Sequence, residues 1–404
     1  MRLILPEPSS TITLRLARDL VRVLKRGNPW VFREALRSCP DAPPGTPAVL
    51  LDNKRGRPVA RGFYDSTSPV AFRACNVDDR PLNEGWAAER FQIAWQLRRR
   101  LFVDRVAGVG PTTGFRLFNG EGDGVPGLVV DVYSDTAVLK LDGPGASGFW
   151  NAAGVAEWLS CELTSVYVIE RPRDRELPAQ VLLGPPPAGP VTFLENGIRF
   201  TADVLHGQKT GFFLDQRDNR LLVRQLAAGA SVLNLFGYTG GFSVSAGVGG
   251  ATHATTVDSA EPAIETANDH WRLSGLPPQS HEGVVADAFE FLADAGKRNR
   301  HWGIVVSDPP SFAPSKASLD KAAAAYQKLA AAAAAVTAPH GLLALASCSS
   351  HVDLPLFLNV IEEGISQARR RATVFALHSQ PPDHPTPLAL PEFRYLKFVL
   401  VRVE

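Results

Sequence analysis

Two short motifs in the C-terminal half of the chain carry residue types that can do chemistry. Cys348 stands in Ser347-Cys-Ser349, and Asp308 opens Asp308-Pro-Pro-Ser-Phe312. A cysteine thiolate is reactive near neutral pH once its surroundings favour the charged form, and it can add to an electrophilic carbon. A lone cysteine at a strand end can equally be a small residue that packs in a core. The residues alone leave both interpretations of Cys348 open.

A glycine-rich turn stands upstream of both motifs. The apolar run Ser231–Phe236 leads into Gly237-x-x-Gly240-Gly241, and small residues typical of a helix follow. Glycines let the backbone turn sharply and approach a ligand, and a helix N-terminus offers unpaired N–H groups. Asp258 ends the next apolar run, where a carboxylate could accept hydrogen bonds from a ribose. The pattern predicts a nucleotide pocket, although it is not the dinucleotide signature G-x-G-x-x-G.

Strands and helices are predicted to alternate around these residues. The apolar, mostly β-branched runs fit parallel strands covered by helices on both faces, as in a doubly wound α/β sheet. The predicted elements are the strands Val232–Phe236, Ala254–Asp258, Gly283–Ala286, Gly303–Asp308, Leu342–Ser347, Ala372–Leu377 and Leu396–Val403, and an alanine-rich helix at Lys321–Thr337. Ligands of such sheets bind beyond the carboxyl ends of the strands. The polar residues at these ends are Asn234, Asp258, Asp287, Asp308 and Cys348.

The composition bounds the class of protein. A chain of 404 residues is long enough for two or three domains, and 45% hydrophobic with 21% charged residues is typical of a soluble protein. No apolar run reaches the roughly 18 residues that span a bilayer, and the run after Met1 is too short for a secretory signal. The four cysteines are isolated, which indicates neither a zinc site nor a disulfide framework. We therefore expect a cytoplasmic protein without a metal.

The N-terminal segment is basic. Met1–Arg73 holds 13 Lys and Arg residues against 6 Asp and Glu residues, and a net charge of roughly +7 favours a polyanionic partner. A solvated arginine-rich surface would give the same pattern. Leu24–Phe32 resembles the opening of a PUA-type RNA-binding domain, and Leu50–Phe63 is predicted as its hairpin. Trp30 and Phe32 could stack on bases, but burial in a small barrel is the interpretation that we prefer for both.

The middle of the chain is predicted to form a small α+β unit. Glu84–Val106 has the apolar spacing of a helix, with Arg98-Arg-Arg100 on its solvent side. Gly120-Glu-Gly-Asp-Gly lacks the later glutamate of an EF-hand loop, so we expect a plain connection between two strands rather than a metal site. A helix near Phe149–Cys161 and a strand at Ser165–Ile169 follow, and the proline-rich run 183–190 is a linker.

Taken with these motifs, the chain resembles the bacterial large-subunit ribosomal RNA 5-methylcytosine methyltransferases over nearly its whole length. The stretches that carry the resemblance are Gly27–Phe32, Gly120–Gly127, His206–Arg220, the glycine turn, Ser307–Phe312 and Ser347–Ser349. The resemblance implies a PUA-like RNA-binding β-barrel over 1–78 and a central α+β domain over 79–183. It implies a class I Rossmann-like, S-adenosylmethionine-dependent methyltransferase domain over 190–404. Large-subunit ribosomal RNA (23S) is the implied partner, and the apolar N-terminal strand region leaves room for a homodimer.

The resemblance also gives roles to single residues. Cys348 is the implied nucleophile that adds to C6 of a cytosine, and Asp308 is implied to orient the base. The residues implied to contact S-adenosylmethionine are Lys209, Thr210, Phe213, Gln216, Asn234, Phe236, Gly237, Thr239, Gly240, Asp258, Ser259, Asp287, Ala288, Asp308 and Pro309. The motifs and the basic N-terminal segment predict RNA contacts for Pro310, Phe312, Arg22, Lys25, Arg26 and Trp30.

Several alternatives stay open at this point. Many RNA 5-methylcytosine enzymes carry a second cysteine in the motif at Asp308–Phe312, and none stands there, so the base that removes the C5 proton is unassigned. Asp-Pro-Pro followed by an aromatic residue also occurs in guanine-N methyltransferases, although direct N-methylation needs no nucleophilic cysteine. A non-catalytic RNA-binding ribosome assembly factor and a small-molecule methyltransferase are further candidates. The loop Gln380–Glu392 either lines the base pocket or is exposed to solvent.

Overall fold

The computed structural model describes residues 1–6, 10–103, 110–163, 167–172, 174, 177–313 and 316–404. They form two compact units. The first contains Met1–Gly197, Thr201–Leu214 and Pro382–Pro391, and the second contains Ile198–Phe200, Asp215–Pro381 and Glu392–Glu404. The division into three domains stays a prediction. No helix in the described part of the chain is long and apolar enough to cross a membrane.

The first unit begins with a five-stranded sheet. Its elements are β1 (Ile12–Arg15), α1 (Val21–Lys25), β2 (Trp30–Phe32), β3 (Pro47–Leu51), β4 (Pro58–Tyr64) and β5 (Val70–Asn76), and the strand order is β1-β3-β4-β5-β2. β3 and β4 pair antiparallel, which confirms the predicted hairpin. Leu14, Leu50 and Phe72 are at most 1% exposed, and burying such a side chain stabilises a fold by about 1.5–3 kcal/mol.

A second five-stranded sheet follows in the same unit. Its elements are α2 (Glu84–Arg98), β6 (Gly114–Asn119), β7 (Leu128–Tyr133), β8 (Thr136–Leu141), α3 (Pro144–Phe149), α4 (Ala152–Glu162), β9 (Tyr167–Glu170) and β10 (Gln180–Leu183), with the strands ordered β10-β9-β8-β7-β6. β6 and β7 pair antiparallel, so Gly120–Gly124 connects two strands, as expected. Within the described ranges, no group of three or more His, Cys, Asp or Glu residues could hold a metal ion.

Arg98 departs from the sequence prediction. Helix α2 ends at Arg98, a π-helical turn covers Arg99–Val103, and residues 104–106 of the predicted helix lie outside the described residues. The expected solvent position of Arg98 is wrong, because the residue is 0% exposed. Its guanidinium donates to both carboxylate oxygens of Asp123 at 2.6 and 2.8 Å. A guanidinium is tolerated in a core when a carboxylate and further acceptors satisfy its donors.

The segment Pro382–Pro391 belongs to the first unit, although it follows most of the second unit in sequence. Asp383 and His384 are 0% and 3% exposed. The backbone N–H of Arg116 donates to the Asp383 carboxylate at 3.0 Å, and Arg98 donates to the Asp383 carbonyl oxygen at 2.8 Å. A loop exposed to solvent, one of the two alternatives for Gln380–Glu392, is therefore wrong for this buried pair.

The second unit is a doubly wound α/β sheet. Between the two sheets of the first unit and this one come β11 (Val191–Glu195), which belongs to the first unit, and β12 (Ile198–Ala202), which starts in the second unit and ends in the first. The elements that follow are α5 (Arg217–Leu226), β13 (Ser231–Leu235), α6 (Gly241–Val248), β14 (His253–Asp258), α7 (Glu261–Leu273), β15 (His281–Val285), α8 (Ala288–Lys297), β16 (Trp302–Ser307), α9 (Leu319–Val336), β17 (Thr337–Ser347), α10 (Leu354–Gln367), β18 (Ala372–His378) and β19 (Lys397–Val403).

The strand order of this sheet is β15-β14-β13-β16-β17-β19-β18. The first five strands are parallel to one another, and β19 runs antiparallel to both β17 and β18. The predicted fold class and the alanine-rich helix are confirmed. Because β13, β14 and β16 are parallel neighbours, their carboxyl ends meet at one edge of the sheet, where ligands of such folds bind.

Candidate cofactor and catalytic site

The glycine turn after β13 adopts a strained backbone. Phe236, Tyr238 and Gly240 have φ angles of 55°, 46° and 75°, and the left-handed region costs residues other than glycine of the order of 1 kcal/mol or more. A Cβ added at Gly237 would lie 2.5 Å from Cγ2 of Thr256, so no side chain fits there. Two strained residues beside an obligatory glycine indicate a backbone that is shaped for function.

Asn234 lies in β13, three residues before Gly237. It is 1% exposed, and its Nδ2 donates to Oγ of Ser243 at 3.1 Å. Its Oδ1 has no hydrogen-bond partner among the residues that the structure describes. A buried acceptor without a partner costs about 1–3 kcal/mol. This oxygen is therefore an acceptor that a bound ligand could satisfy.

Asp258 stands at the carboxyl end of β14, which pairs with β13. Its Oδ2 accepts the backbone N–H of Tyr238 at 2.8 Å, and its Oδ1 accepts that of Ala260 at 3.0 Å. Hydrogen bonds to a charged acceptor are stronger than neutral ones, so these two fix the carboxylate beside the glycine turn. The contact of Asp258 with a ribose stays a prediction.

Four more predicted cofactor residues of the second unit have varied surroundings. Asp287 caps α8, because its Oδ1 accepts the N–H groups of Phe289 and Glu290 at 2.8 and 3.1 Å. Such a cap accounts for a carboxylate at a helix N-terminus without any ligand. The remaining members of this set are Thr239, which is 8% exposed, Ser259, which is exposed, and Ala288, which is 4% exposed.

Asp308 follows β16 and contacts Gln216. The Gln216 Nε2 donates to Oδ2 of Asp308 at 2.9 Å, and the Gln216 Oε1 accepts Nδ2 of Asn219 at 2.6 Å. Gln216 is 2% exposed, whereas Asp308 is partly exposed. A buried amide, itself held in place, therefore orients a carboxylate that can accept a hydrogen bond from an amino group.

The rest of the Asp308 motif divides between core and surface. Pro309 is buried and Pro310 is exposed. The Phe312 ring lies 4.9 Å from the ring of Tyr326, so this aromatic side chain is engaged in packing. Its predicted contact with a base is not tested by this geometry.

Cys348 comes directly after β17 and is partly buried. Ser349 connects it to the Asp308 motif, because the Ser349 Oγ lies 2.7 Å from Oγ of Ser311 and accepts the backbone N–H of Ala313 at 3.2 Å. The structure thus brings together the two motifs from which the chemistry was predicted. The cysteine and the carboxylate stand at the ends of neighbouring parallel strands, β17 and β16.

Lys397 is a residue of this site that sequence reasoning missed. It lies opposite Ser347 in the β17–β19 pair and is 6% exposed. Its Nζ donates to the backbone carbonyl oxygens of Ser349 and Tyr395. Burial lowers the pKa of Lys397 to about 8, and the charges of Cys348 and Asp353 act in the opposite direction. A lysine inside the apolar run Leu396–Val403 was the available signal, because lysine is rarely buried without a partner.

Three predicted cofactor residues belong to the first unit. Thr210 is 2% exposed and donates its hydroxyl to the Asp131 carboxylate, and its Oγ1 lies 2.9 Å from the Tyr133 hydroxyl. The Lys209 Nζ lies 4.4 Å from the centre of the Phe213 ring, within the range of a cation–π contact. Their contact with a cofactor stays a prediction.

The predicted RNA contacts of the N-terminal sheet lie on and beside α1. Arg22, Lys25 and Arg26 are exposed. Burial in a small barrel, the preferred interpretation for both aromatic residues, is wrong for Phe32, which is 40% exposed. Trp30 is half-buried, and its Nε1 donates to the Glu121 carboxylate at 2.8 Å. Strand β2 has only three residues and is an edge strand of its sheet, so one of its two backbone edges has no strand partner among the described residues.

Comparisons with known proteins identify the family. A profile of S-adenosylmethionine-dependent methyltransferases matches residues 157–389, and a profile of PUA-like domains matches residues 14–75. A ribosomal RNA large subunit methyltransferase from Deinococcus radiodurans is 35% identical to this chain, over 97% of this chain and 98% of its own length. A ribosomal RNA large subunit methyltransferase I from Photobacterium profundum is 34% identical, over 96% and 98%. The chain belongs to the S-adenosylmethionine-dependent methyltransferase family, and it carries a PUA-like domain.

A solved structure supports the fold. A SAM-dependent methyltransferase from Streptococcus mutans superposes with a TM-score of 0.81 at 24% identity, and the match covers 97% of this chain and 100% of the other. The cofactor of the family is S-adenosylmethionine. The residues of the second unit fit this cofactor, because Asn234 has a buried acceptor without a partner among the described residues and Asp258 presents a fixed carboxylate.

Proposed function

We propose that this chain transfers the methyl group of S-adenosylmethionine to C5 of a cytosine in large-subunit (23S) ribosomal RNA. The observation that carries the proposal is the position of Cys348 at the end of β17, joined through Ser349 to the motif that opens with Asp308. The names of the two relatives support large-subunit ribosomal RNA as the substrate. The PUA-like domain supports RNA as the class of partner.

The cofactor-binding part of the proposal concerns the glycine turn. Bound S-adenosylmethionine supplies an electrophilic methyl group. The residues of the second unit proposed to hold it are Gln216, Asn234, Phe236, Gly237, Thr239, Gly240, Asp258, Ser259, Asp287, Ala288, Asp308 and Pro309. Of these, Asn234 offers its Oδ1, which has no hydrogen-bond partner in the described part of the chain, and Asp258 offers a carboxylate that two backbone N–H groups already orient.

The chemistry requires a nucleophile because C5 of cytosine is itself a weak one. Attack of the Cys348 thiolate on C6 forms an S–C6 bond and gives C5 the character of an enamine carbon. C5 would then form a bond to the methyl carbon as the bond between that carbon and the sulfonium sulfur breaks, and S-adenosylhomocysteine would leave. A base or water removes the C5 proton, the C5–H electrons restore the C5–C6 double bond, and the S–C6 pair returns to sulfur. One methyl group has replaced one proton, and the thiolate is regenerated.

Asp308 has a separate role in this proposal. Its carboxylate, oriented by the buried amide of Gln216, accepts a hydrogen bond from the exocyclic amino group of the cytosine. A uracil presents an acceptor at that position, so the same carboxylate would repel it. Asp308 therefore contributes to the choice of base as well as to its orientation.

The N-terminal sheet is proposed to bind the RNA backbone. Arg22, Lys25 and Arg26 are exposed cations within five residues of one another, and phosphate contacts of this kind supply most of the affinity of non-specific RNA binding. The exposed ring of Phe32 is available to stack on a base. Trp30 is held by its hydrogen bond to Glu121, so it has less freedom to adapt to a base.

The test is mass spectrometry of nucleosides from unmodified large-subunit RNA that has been incubated with methyl-labelled S-adenosylmethionine. Wild type and the control Cys161→Ala, which removes an exposed cysteine of α4, should both give labelled 5-methylcytidine. Cys348→Ala should give none.

Other outcomes would replace the proposal. Labelled methylguanosine formed equally by wild type and Cys348→Ala would indicate a guanine-N methyltransferase. RNA binding without any binding of S-adenosylmethionine would indicate a non-catalytic assembly factor.

A further inference from the structure

Lys397 is buried in the second unit, opposite the last residue of β17, which Cys348 directly follows. The β17–β19 register places it opposite Ser347, and the side chains of opposed residues in an antiparallel pair lie on the same face of the sheet. The ammonium donates to the carbonyl oxygen of Ser349, the residue that directly follows Cys348. Its second acceptor is the carbonyl oxygen of Tyr395 at 2.7 Å. The cation is therefore tethered to the backbone of the cysteine loop by two neutral acceptors.

Two groups that can carry a negative charge raise the pKa of Lys397 against the effect of burial: Cys348, which follows β17, and Asp353, the N-cap of α10, whose carboxylate accepts the N–H of Leu356 at 2.9 Å. Tyr326 of α9 interacts with Cys348, and its own pKa is raised mainly by burial, so its phenol stays protonated. Burial lowers the pKa of Lys397 to about 8, which leaves most of it protonated at neutral pH.

A buried ammonium with only neutral acceptors is an unfavourable arrangement. Desolvation of an ammonium is unfavourable, and carbonyl dipoles offset only part of its cost. A nearby anion lowers that cost, and the attraction acts equally on both partners, since titrations of interacting groups are coupled. A Cys348 thiolate that helps to keep Lys397 protonated is therefore itself stabilised by the Lys397 ammonium to the same extent.

We propose that the Lys397 ammonium stabilises the Cys348 thiolate. Lys397 is thereby a positioning residue, which acts through Cys348 and does not itself touch the substrate. The only chemical event in this step is loss of the thiol proton to solvent. The consequence for methyl transfer rests on the proposed function, whereas the ion pair itself can be measured without RNA or cofactor.

The test is the pH dependence of alkylation by iodoacetamide, followed by mass spectrometry of each cysteine-containing peptide of the full-length protein. Alkylation reports the thiolate fraction, because the thiolate is the nucleophile. In the wild type, the midpoint for Cys348 should lie below that for Cys161, an exposed cysteine of the same chain. In Lys397→Met the midpoint for Cys348 should rise by about one pH unit or more, which is roughly a tenfold slower reaction at pH 7.

Two further variants distinguish an effect of the positive charge from an effect on folding. Lys397→Arg keeps the cation and should keep the Cys348 midpoint close to that of the wild type. Arg402→Met removes a half-exposed cation from the same strand, β19, and should leave the midpoint unchanged. Cys161 should react alike in every variant and serves as the internal reference for folding and reagent.

The outcomes distinguish this proposal from the proposed function. A Cys348 midpoint at or above that of Cys161 in the wild type would overturn the thiolate pair, even if Lys397→Met does not fold. An unchanged midpoint in a folded Lys397→Met would overturn it as well. A shifted midpoint together with normal methylation by Cys348→Ala would uphold the pair and reject Cys348 as the nucleophile.

A kinetic readout follows for the methylation reaction. Lys397→Met should lower kcat about tenfold at pH 7 with little change in KM. The difference in kcat between Lys397→Met and the wild type should be smaller at pH 9, because the Cys348 thiol ionises there even without the Lys397 ammonium. A merely structural defect would not recover with pH.

Discussion

Gly240 and Gly229 offer a matched test of the glycine turn. Their φ angles are nearly the same, +75° and +73°, but a Cβ at Gly240 would lie 2.7 Å from Cβ of Ala267, whereas no atom of the described residues lies within 4 Å of a Cβ at Gly229. An alanine in the left-handed region costs about 1–2 kcal/mol, and this applies to both positions. Overpacking adds about 1–3 kcal/mol, and this applies to Gly240 only. Gly240→Ala should therefore lower the free energy of unfolding by about 2–5 kcal/mol and Gly229→Ala by about 1–2 kcal/mol.

The assay is chemical denaturation, with the affinity for S-adenosylhomocysteine measured by calorimetry on both folded variants. Because Gly240 is the N-cap of α6, beside the proposed cofactor site, Gly240→Ala should also weaken this affinity, and Gly229→Ala should leave it unchanged. Equal losses of stability in the two variants would show that backbone strain alone matters. Unaltered affinity in Gly240→Ala would contradict the position of the cofactor beside this turn.

Three further predictions concern buried charges. Arg98→Met leaves the Asp123 carboxylate without its buried partner and should lower the free energy of unfolding by about 3–5 kcal/mol. Chemical denaturation measures this loss, and adding Asp123→Leu should restore part of it. Burial lowers the pKa of His281 to about 4. The free energy of unfolding of the wild type should therefore fall by about 1–3 kcal/mol as the pH falls from 6.5 to 4, because the unfolded state binds a proton that the folded state does not. The free energy of unfolding of His281→Gln should fall less over that range, and melting temperatures of both proteins at pH 7 and pH 5 test this difference. The lowered pKa of Lys397 means that wild-type stability relative to Lys397→Met should rise between pH 8 and 10.5, by up to about 3 kcal/mol, and an unchanged difference in melting temperature would contradict it.

The sheet of the second unit could be predicted from sequence because its signal is local. Each parallel strand is an apolar, β-branched run, and Lys321–Thr337 is rich in alanine, the best helix former. The predicted strands agree with β13 to β19 to within a few residues, although β17 begins earlier, at Thr337. The turn at Gly237–Gly241 could also be predicted from its glycines, because a side chain at Gly237 or Gly240 would clash with neighbouring atoms.

The buried charges could not be predicted, because their partners are distant in sequence. Arg98 looks solvent-exposed by helical spacing, and only the fold reveals Asp123 and the Asp383 carbonyl oxygen as its acceptors. Lys397 depends in the same way on Ser349, nearly 50 residues away. Asp383 and His384 stand in a proline-rich loop, the kind of segment that usually covers a surface. In each case a long-range polar contact overrides the local pattern.

The central claim is that Cys348 forms a bond to C6 of a cytosine, and a trapped adduct tests it most directly. The enzyme is incubated with S-adenosylmethionine and large-subunit RNA that contains 5-fluorocytidine, whose C5–F bond prevents the final elimination. The account predicts a stable protein–RNA cross-link, located by mass spectrometry on the peptide that contains Cys348 and absent in Cys348→Ala. Methyl transfer to the unfluorinated RNA by Cys348→Ala, with no cross-link in the wild type, would contradict it.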